Sequence, residues 1–307
     1  MGHFKSIFNF IIFRYFDEDN IMNLVKKLLG IDDEREYLHY KKDFIVQFTN
    51  CRIVRGNQLV NEDLWIRNGK ILDPEKIFFD EKQQSGLQID CDNLIITAGF
   101  IDTQINGGFG HDFTSNNDEI SIGDKLNFVA RGILKYGVTA FCPTIVSSDS
   151  SVYKRTLPFI EKTPGGANGA SILGAHLEGP FISKEKYGAH DVENLQTLEN
   201  GPSDIHRIYG EVLDKIRIIT LAPELDSNGQ VTEYLTKSGI IVSIGHSIAK
   251  LEDGKKSVLH GATYITHLFN AMLPFHHRDP HLFGLLSDYE SNKSLFYGII
   301  ADGILIK

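Results

Sequence analysis

Three short segments each place a potential metal ligand directly after an apolar run with the composition of a β-strand. Glu178 lies in segment 176–181, His246 in segment 245–247 and His267 in segment 266–272. One carboxylate and two imidazoles suit a hydrolytic zinc ion, because three protein ligands leave a position open for water. Such a metal lowers the pKa of its bound water and polarises a carbonyl oxygen. The segments therefore predict a metal-dependent hydrolase whose fold brings strand ends together.

Each of these residues also has a simpler interpretation when it is taken singly. Glu178 could form a structural ion pair, since buried charges are usually paired. A single histidine after an apolar strand, such as His246 or His267, is more often a satisfied core or loop residue than a ligand. The combination favours the metal, and nine of the twelve histidines fall between His176 and His281. This local enrichment is consistent with a site in that part of the chain.

Further polar residues follow other strand-like runs and could bind a substrate. His190 lies in the loop after the third run, and Gln104 closes the first. Segment 274–280 contains Arg278, whose planar guanidinium suits a phosphate or a carboxylate. Taken alone, that segment is better explained as a proline-bracketed turn with a solvated charge. Hydrolysis also needs a base and an acid, and Asp302 is the late candidate in this chain.

Apolar runs and helical patterns alternate along most of the chain. This alternation indicates parallel strands joined through βα units. Seven such units, with functional residues at strand ends, favour a TIM-like (β/α)8 barrel of the metal-dependent hydrolase type with about seven of its eight strands present. An open doubly wound sheet is the alternative, but the sequence has no Gly-x-Gly-x-x-Gly fingerprint. The predicted strands are 94–101, 138–146, 172–177, 216–221, 240–244, 263–268 and 295–301.

Changes in the sequence pattern predict three regions. Residues 1–42 form a poorly specified N-terminal extension with one short amphipathic helix over 21–30. Residues 43–93 contain short hairpins, one of them with a turn at Asn68 and Gly69, and are expected to form a small β-sandwich part. Residues 94–307 form the incomplete barrel, which is the hydrolase domain.

Composition argues against several classes of function. The 307 residues are 42% hydrophobic and 23% charged, as in ordinary globular proteins, and their formal net charge is -9. A nucleic-acid partner is not expected, because no basic stripe is available to neutralise phosphates. The apolar run 7–13 is shorter than the roughly 20 residues of a membrane span, so no membrane association is expected. Cys51, Cys91 and Cys142 form no CxxC pair and suggest reduced thiols in a cytoplasmic protein, with Cys142 in the core.

Several segments together resemble one enzyme family. In addition to the three ligand segments, they are 104–108, 188–190, 221–224 and 273–280. In this order they are similar to the N-acetylglucosamine-6-phosphate deacetylases of the amidohydrolase superfamily, and 273–280 is similar to the animal branch. The resemblance runs from about residue 48 to residue 303.

The resemblance implies a fold, a cofactor and a reaction. It implies a barrel with a small β-sandwich, one divalent metal ion per subunit, zinc, and a homodimer for the intact enzyme. The reaction is hydrolysis of the acetamide of N-acetylglucosamine 6-phosphate to glucosamine 6-phosphate and acetate, in amino-sugar catabolism. Glu178, His246 and His267 match the metal ligands. Gln104 stands where many amidohydrolases have a ligand histidine, which implies a mononuclear site.

The resemblance also implies the residues that bind substrate. Arg278 matches a phosphate-binding arginine that can reach across a dimer interface. The positions that contact the sugar and the phosphate match Ala189, His190, Asn270 and Ala271.

Two departures from the family pattern lead to further expectations. After Gly303 the family continues with a threonine–histidine pair, whereas residues 304–307 read Ile-Leu-Ile-Lys. The family's catalytic aspartate, on the last barrel strand, has no counterpart in these 307 residues. We therefore expect the chain as written to contain no general-base aspartate, to fold poorly and to be catalytically inert.

Two other functions stay open at this point. A non-catalytic truncated form that acts by association with the full-length enzyme would keep the metal and phosphate positions without the aspartate. Another amidohydrolase, acting on a cyclic amide or a different N-acetyl compound, would keep the metal ligands. Arg278 and the loop with Ala189 and His190 favour a phosphorylated sugar over the latter.

Overall fold

The chain divides between Phe100 and Ile101 into two units. The computed structural model describes residues 10–11, 44–115, 120–166, 168–287 and 294–304. The predicted helix over 21–30 lies outside the described residues, as does nearly all of the predicted extension 1–42. The division that the sequence predicts after residue 93 stays a prediction.

The first unit consists of two four-stranded sheets, with strand orders β1-β8-β3-β4 and β6-β5-β2-β7. Its strands are β1 Phe10–Ile11, β2 Val46–Thr49, β3 Arg52–Arg55, β4 Gln58–Asn61, β5 Leu64–Arg67, β6 Lys70–Ile71, β7 Leu87–Asp90 and β8 Ile95–Ala98. A π-helix spans Lys76–Glu81. Both sheets contribute to one hydrophobic cluster, which includes Phe48, Ile53, Leu64 and Ile96.

The predicted hairpins of this unit are confirmed. Strands β3 and β4 pair antiparallel, and so do β5 and β6. Asn68 and Gly69, between β5 and β6, have φ values of 53° and 66°. Positive φ at both central residues is typical of the type I′ turn, whose twist matches that of the strands it joins.

The second unit alternates strands and helices. Its strands are β9 Phe100–Ile105, β10 Gly107–Gly108, β11 His111–Asp112, β12 Val138–Val146, β13 Ser171–Ile172, β14 Ala175–Glu178, β15 Ile216–Leu221, β16 Ile241–Ile244, β17 Tyr264–Ile265 and β18 Phe296–Tyr297. Its α-helices are α1 Ile122–Leu134, α2 Ser150–Thr156, α3 Pro202–Tyr209, α4 Gln230–Lys237 and α5 Leu251–His260. Short 3-10 helices span Leu157–Phe159, Lys184–Lys186, Val192–Asn194, Leu213–Lys215, Pro223–Leu225 and His281–Ser287.

One sheet of eight strands organises the second unit. Its order is β13-β12-β14-β15-β16-β17-β18, and β9 also pairs with β12. The pairings from β12 to β18 are parallel, and most successive strands are separated by a helix. Successive parallel strands in chain order confirm the prediction of a (β/α) barrel architecture.

The structure corrects the predicted first barrel strand. The apolar segment 94–101 is divided at Gly99 into the end of β8 and the start of β9. Strand β8 pairs with β3 in the first unit, and the barrel strand continues to Ile105. Hydrophobicity alone misplaced this strand, because both halves of the segment are apolar and only the glycine marks the boundary.

Helix α1 illustrates how the helices of the second unit form. Ser121 caps its amino end, since the Ser121 hydroxyl accepts a hydrogen bond from the backbone N–H of Asp124 at 3.1 Å. Leu126, Val129 and Ile133 lie on one face and are buried against the sheet in the hydrophobic core. Helices α1 and α4 confirm that helical segments alternate with the apolar runs.

Two further findings concern burial and membranes. Cys142 is buried in β12, which confirms that it is a core residue, and burial raises the pKa of its thiol to about 12. Among the described residues, no helix is long and apolar enough to cross a membrane.

Candidate metal centre

Glu178, His246 and His267 meet at the carboxyl-terminal edge of the second unit's sheet. Glu178 is the last residue of β14, and the two histidines follow the ends of β16 and β17 by two residues. All three side chains are buried. Parallel strands end at the same edge, so residues distant in sequence become neighbours there. His246 and His267 have positive φ values of 49° and 30°, where the chain turns out of each strand.

The potential ligand atoms form a small triangle. Glu178 Oε1 lies 3.1 Å from His246 Nε2 and 3.1 Å from His267 Nε2. The two Nε2 atoms are 2.9 Å apart. Ligands of a tetrahedral zinc ion, with bonds of about 2.0–2.1 Å, are separated by roughly 3.3 Å, so the observed spacing is close to that of a metal site. Among the described residues, these three form a group whose ligand atoms lie close enough together to hold one metal ion.

The hydrogen bond of His246 away from the triangle determines its tautomer. His246 Nδ1 lies 2.7 Å from the backbone carbonyl oxygen of Lys186, which only accepts, so Nδ1 carries a hydrogen. A neutral His246 therefore points the Nε2 lone pair toward Glu178. Two facing lone pairs need a cation or a proton between them, and this donor set fits a divalent metal. For His267, Nδ1 has no hydrogen-bond partner among the described residues.

Glu178 carries the negative charge of the centre. Burial by itself would raise the pKa of Glu178, but the adjacent imidazoles of His246 and His267 outweigh it and hold the pKa well below its ordinary value. Gln104 adds a third contact, because its side-chain amide donates to Glu178 Oε1 at 2.6 Å. A carboxylate that is ionised and held in one orientation is suited to bind a metal ion.

His190 lies on the other side of Glu178. Its Nδ1 accepts a hydrogen bond from the backbone N–H of Ser147 at 3.2 Å, so the hydrogen of the neutral ring is on Nε2. That Nε2 lies 3.6 Å from Glu178 Oε2, beyond hydrogen-bond distance. Burial lowers the pKa of His190 to about 4, against the opposing effect of Glu178. His190 is therefore neutral near pH 7 and presents an N–H donor to the site.

The stability of the metal-free protein should depend on His190 below neutral pH. Its pKa is about 4 in the folded chain and about 6.5 in the unfolded chain, so the unfolded state binds more protons between these values. We therefore expect the melting temperature to fall as the pH is lowered through this window. His190→Gln should reduce this slope in melts measured with a chelator. The control His277→Gln, in an exposed loop, should keep it, and equal slopes in both variants would contradict the assignment.

The other predicted substrate residues lie in loops around the centre. Ala189 is exposed beside His190, and Asn270 and Ala271 are half-buried just after His267. Arg278 is exposed and makes no ion pair with the residues that the structure describes. Their roles in substrate binding stay predictions.

Asp302, the late candidate for proton transfer, is not at the end of a strand. Strand β18 ends at Tyr297, and Asp302 lies in the exposed segment that follows it. One carboxylate oxygen accepts the backbone N–H of Ile304 at 2.8 Å. The sequence misplaced Asp302 because the apolar run continues past the point where the strand pairing stops.

Sequence reasoning gave no role to Glu224, which supports the turn after His246. Glu224 accepts hydrogen bonds from the Ser247 hydroxyl at 2.6 Å and from the Ile248 backbone N–H at 2.8 Å. Burial raises the pKa of Glu224 despite these bonds. The segment 221–224 was a signal of the family resemblance, but only the fold shows which turn it supports.

Several known proteins similar to this chain are N-acetylglucosamine-6-phosphate deacetylases. The bovine (Bos taurus) N-acetylglucosamine-6-phosphate deacetylase is 53% identical over 263 residues, which cover 85% of this chain and 64% of the relative. The human (Homo sapiens) enzyme of the same name is 52% identical over 262 residues, covering 84% of this chain and 63% of the relative. The chain is a homologue of N-acetylglucosamine-6-phosphate deacetylases. It spans slightly less than two thirds of the length of these two relatives.

Solved structures of the deacetylase have the same fold. The N-acetylglucosamine-6-phosphate deacetylase from Pasteurella multocida superposes with a TM-score of 0.68 at 28% identity, covering 86% of this chain and 66% of that chain. No protein-family model matches the chain. The likeness to deacetylases in sequence and in fold confirms the resemblance that the sequence motifs indicated.

Proposed function

We propose that the full-length natural protein hydrolyses the acetamide of N-acetylglucosamine 6-phosphate, with a divalent metal ion held by Glu178, His246 and His267. Water adds to the acetyl carbon, the C–N bond breaks, and the nitrogen leaves as the amine of glucosamine 6-phosphate with release of acetate. The observation that carries the proposal is the buried triangle of one carboxylate oxygen and two imidazole nitrogens, 2.9–3.1 Å apart. The names of the homologues supply the substrate.

We propose zinc, at one ion per subunit. Two imidazoles and one carboxylate are a donor set that zinc uses in catalytic sites with an open position. The metal, when bound, supplies an activated water and polarises the acyl oxygen. Gln104 supports a single ion, since its amide donates to Glu178 and offers no imidazole for a second metal.

The surrounding residues orient the substrate. His190 is neutral and donates from Nε2, so it can hold an acceptor oxygen of the sugar or of its acetyl group. Asn270 and Ala271 lie in the same loop as His267, after Leu268 and Phe269, and contact the sugar phosphate. Arg278, on an exposed loop, binds the phosphate through charge-assisted hydrogen bonds. Ala189 adjoins His190 and contacts the sugar.

The proposal is tested by acetate release from N-acetylglucosamine 6-phosphate by the full-length natural protein. We expect turnover that a chelator abolishes and that added zinc restores, together with loss of turnover in His246→Ala. His260→Ala, at the end of α5, is the control and should keep the rate. Turnover that survives both chelation and His246→Ala would contradict the proposal.

We also propose a cytoplasmic, homodimeric protein. The location is supported by the cysteines, since Cys51, Cys91 and Cys142 are buried free thiols, as expected in a reducing compartment. The dimer is supported by the family resemblance of the Arg278 loop, which in the intact enzyme can serve the site of the other subunit. Sedimentation of the full-length natural protein at twice the subunit mass would agree with the dimer, and a monomer would contradict it.

A further inference from the structure

A continuous chain of buried hydrogen bonds runs beneath the metal ligands. His176 Nδ1 lies 2.7 Å from the backbone carbonyl oxygen of Thr103, and His176 Nε2 lies 2.7 Å from the Thr220 hydroxyl. The Thr220 hydroxyl lies 2.6 Å from the Thr266 hydroxyl, which lies 2.5 Å from that of Ser243. His176, Thr220, Ser243 and Thr266 are completely buried. These hydrogen bonds thus link strands β9, β14, β15 and β16 and the residue that follows β17.

The chemistry of the groups sets the direction of these hydrogen bonds. A carbonyl oxygen only accepts, so His176 Nδ1 donates to Thr103. Complete burial disfavours the charged ring, and a neutral ring must then accept at Nε2 from the Thr220 hydroxyl. Thr220 has one hydroxyl hydrogen, so its oxygen accepts from Thr266, and Thr266 in turn accepts from Ser243. Thr220 and Thr266 each accept one hydrogen bond and donate one, and Ser243 donates one, so all these hydrogen bonds run in one direction.

The residues joined by these hydrogen bonds are close neighbours of the metal ligands in sequence. His176 precedes Glu178 by two residues on the same side of β14, and Thr266 directly precedes His267. Thr220 on β15 is in register with Glu178. A shift of one strand relative to another would lengthen a hydrogen bond in the chain and move a ligand at the same time.

Ser243 and Thr103 extend the hydrogen-bonded network to the strands that precede His246 and carry Gln104. Ser243 lies on β16, three residues before His246. Thr103 on β9 precedes Gln104, whose amide donates to Glu178. The hydrogen-bonded chain therefore reaches each strand that carries a ligand, and also the strand of the residue that orients the carboxylate.

We propose that His176 and Thr220 are positioning residues, which fix the spacing of Glu178, His246 and His267 through this chain of hydrogen bonds. The inference rests on the proposed function, because it takes those three residues as the metal ligands. Outer-shell groups that hydrogen-bond a ligand directly typically contribute 10- to 100-fold in metal affinity. The members of this network act on the ligands through the backbone, so loss of the network should weaken metal binding by about 10-fold, the lower end of that range.

Thr220→Val is the most direct variant, because valine has the shape of threonine without the hydroxyl. It leaves His176 Nε2 and Thr266 without their partner while the packing is retained. We expect zinc affinity, measured by competition with a chromophoric chelator, to fall about 10-fold. The visible spectrum of the cobalt-substituted protein should also change. Thr220→Ser keeps the hydroxyl and should restore both the affinity and the spectrum.

Thr232→Val is the matched control. Thr232 is buried in α4 and donates to Asp226 at 2.8 Å, so its loss removes a buried hydrogen bond remote from the ligands in sequence. We expect it to lower the melting temperature and leave zinc affinity unchanged. Ser243→Ala removes only the last donor of the hydrogen-bonded network and should weaken zinc binding less than Thr220→Val does. This second variant keeps the inference testable if Thr220→Val does not fold.

The outcomes separate this inference from the proposed function. If the unaltered protein binds no zinc, the proposed function is wrong and the inference with it. If it binds zinc, and Thr220→Val or Ser243→Ala binds it with unchanged affinity and cobalt spectrum, only the positioning role is wrong. An equal loss of affinity in Thr232→Val would also overturn the inference, since the effect would then be general destabilisation.

Discussion

Glu178→Gln will weaken zinc binding by more than about 100-fold, a larger effect than the loss of a supporting hydrogen bond. Glutamine keeps the size of the side chain but removes the negative charge that the site supplies. The buried carboxylate is the point at which Gln104, His246 and His267 converge, with distances of 2.6, 3.1 and 3.1 Å to Oε1. Zinc affinity from chelator competition, with the folded state checked by circular dichroism, measures the effect.

Glu193→Gln is the control for this substitution. Glu193 is an exposed carboxylate in the 3-10 helix Val192–Asn194, and its removal changes the net charge by the same amount. We expect its zinc affinity to equal that of the unaltered protein. If Glu178→Gln retained that affinity as well, the triangle would not be the metal site.

Arg278→Ala will weaken binding of the phosphorylated sugar by about 10- to 150-fold, corresponding to the roughly 1.5–3 kcal/mol of hydrogen bonds to a charged group. The guanidinium is exposed and makes no ion pair with described residues, so it is available for a phosphate. Removing it leaves the metal ligands untouched. Calorimetry should therefore show the loss with glucosamine 6-phosphate and no change with glucosamine.

Arg155→Ala provides the comparison for Arg278. Arg155 is an exposed arginine in α2, and we expect its removal to leave the affinity for both sugars unchanged. An equal effect of Arg278→Ala on glucosamine and glucosamine 6-phosphate would show that Arg278 does not recognise phosphate. The substrate would then be a different N-acetyl compound or a cyclic amide.

The architecture and the meeting of the three candidate ligands could be predicted because both follow from local patterns. Apolar runs that alternate with amphipathic helices define βα units, and a polar residue after each run must lie at the shared strand edge. Glu178, His246 and His267 satisfied that rule. The hairpin at Asn68 and Gly69 was predictable for a similar reason, since few residue pairs adopt its turn.

Other features depend on contacts that no local pattern specifies. The apolar segment around Gly99 belongs to two sheets, and hydrophobicity does not indicate which partner each half has. Thr220 and Thr266 looked like ordinary members of apolar strands, because their role comes from hydroxyls that meet across strands. The support of the His246 turn by Glu224 joins residues 23 or 24 positions apart. Such pairings appear only when the strands are assembled.

The most direct test of the metal centre is a crystal structure of the zinc-loaded protein with anomalous diffraction recorded at the zinc absorption edge. We predict one anomalous peak within bonding distance of Glu178 Oε1, His246 Nε2 and His267 Nε2, and about 2.0–2.2 Å from each. Crystals equilibrated with zinc that show no peak among these three atoms, or a peak bound by other residues, would contradict the account.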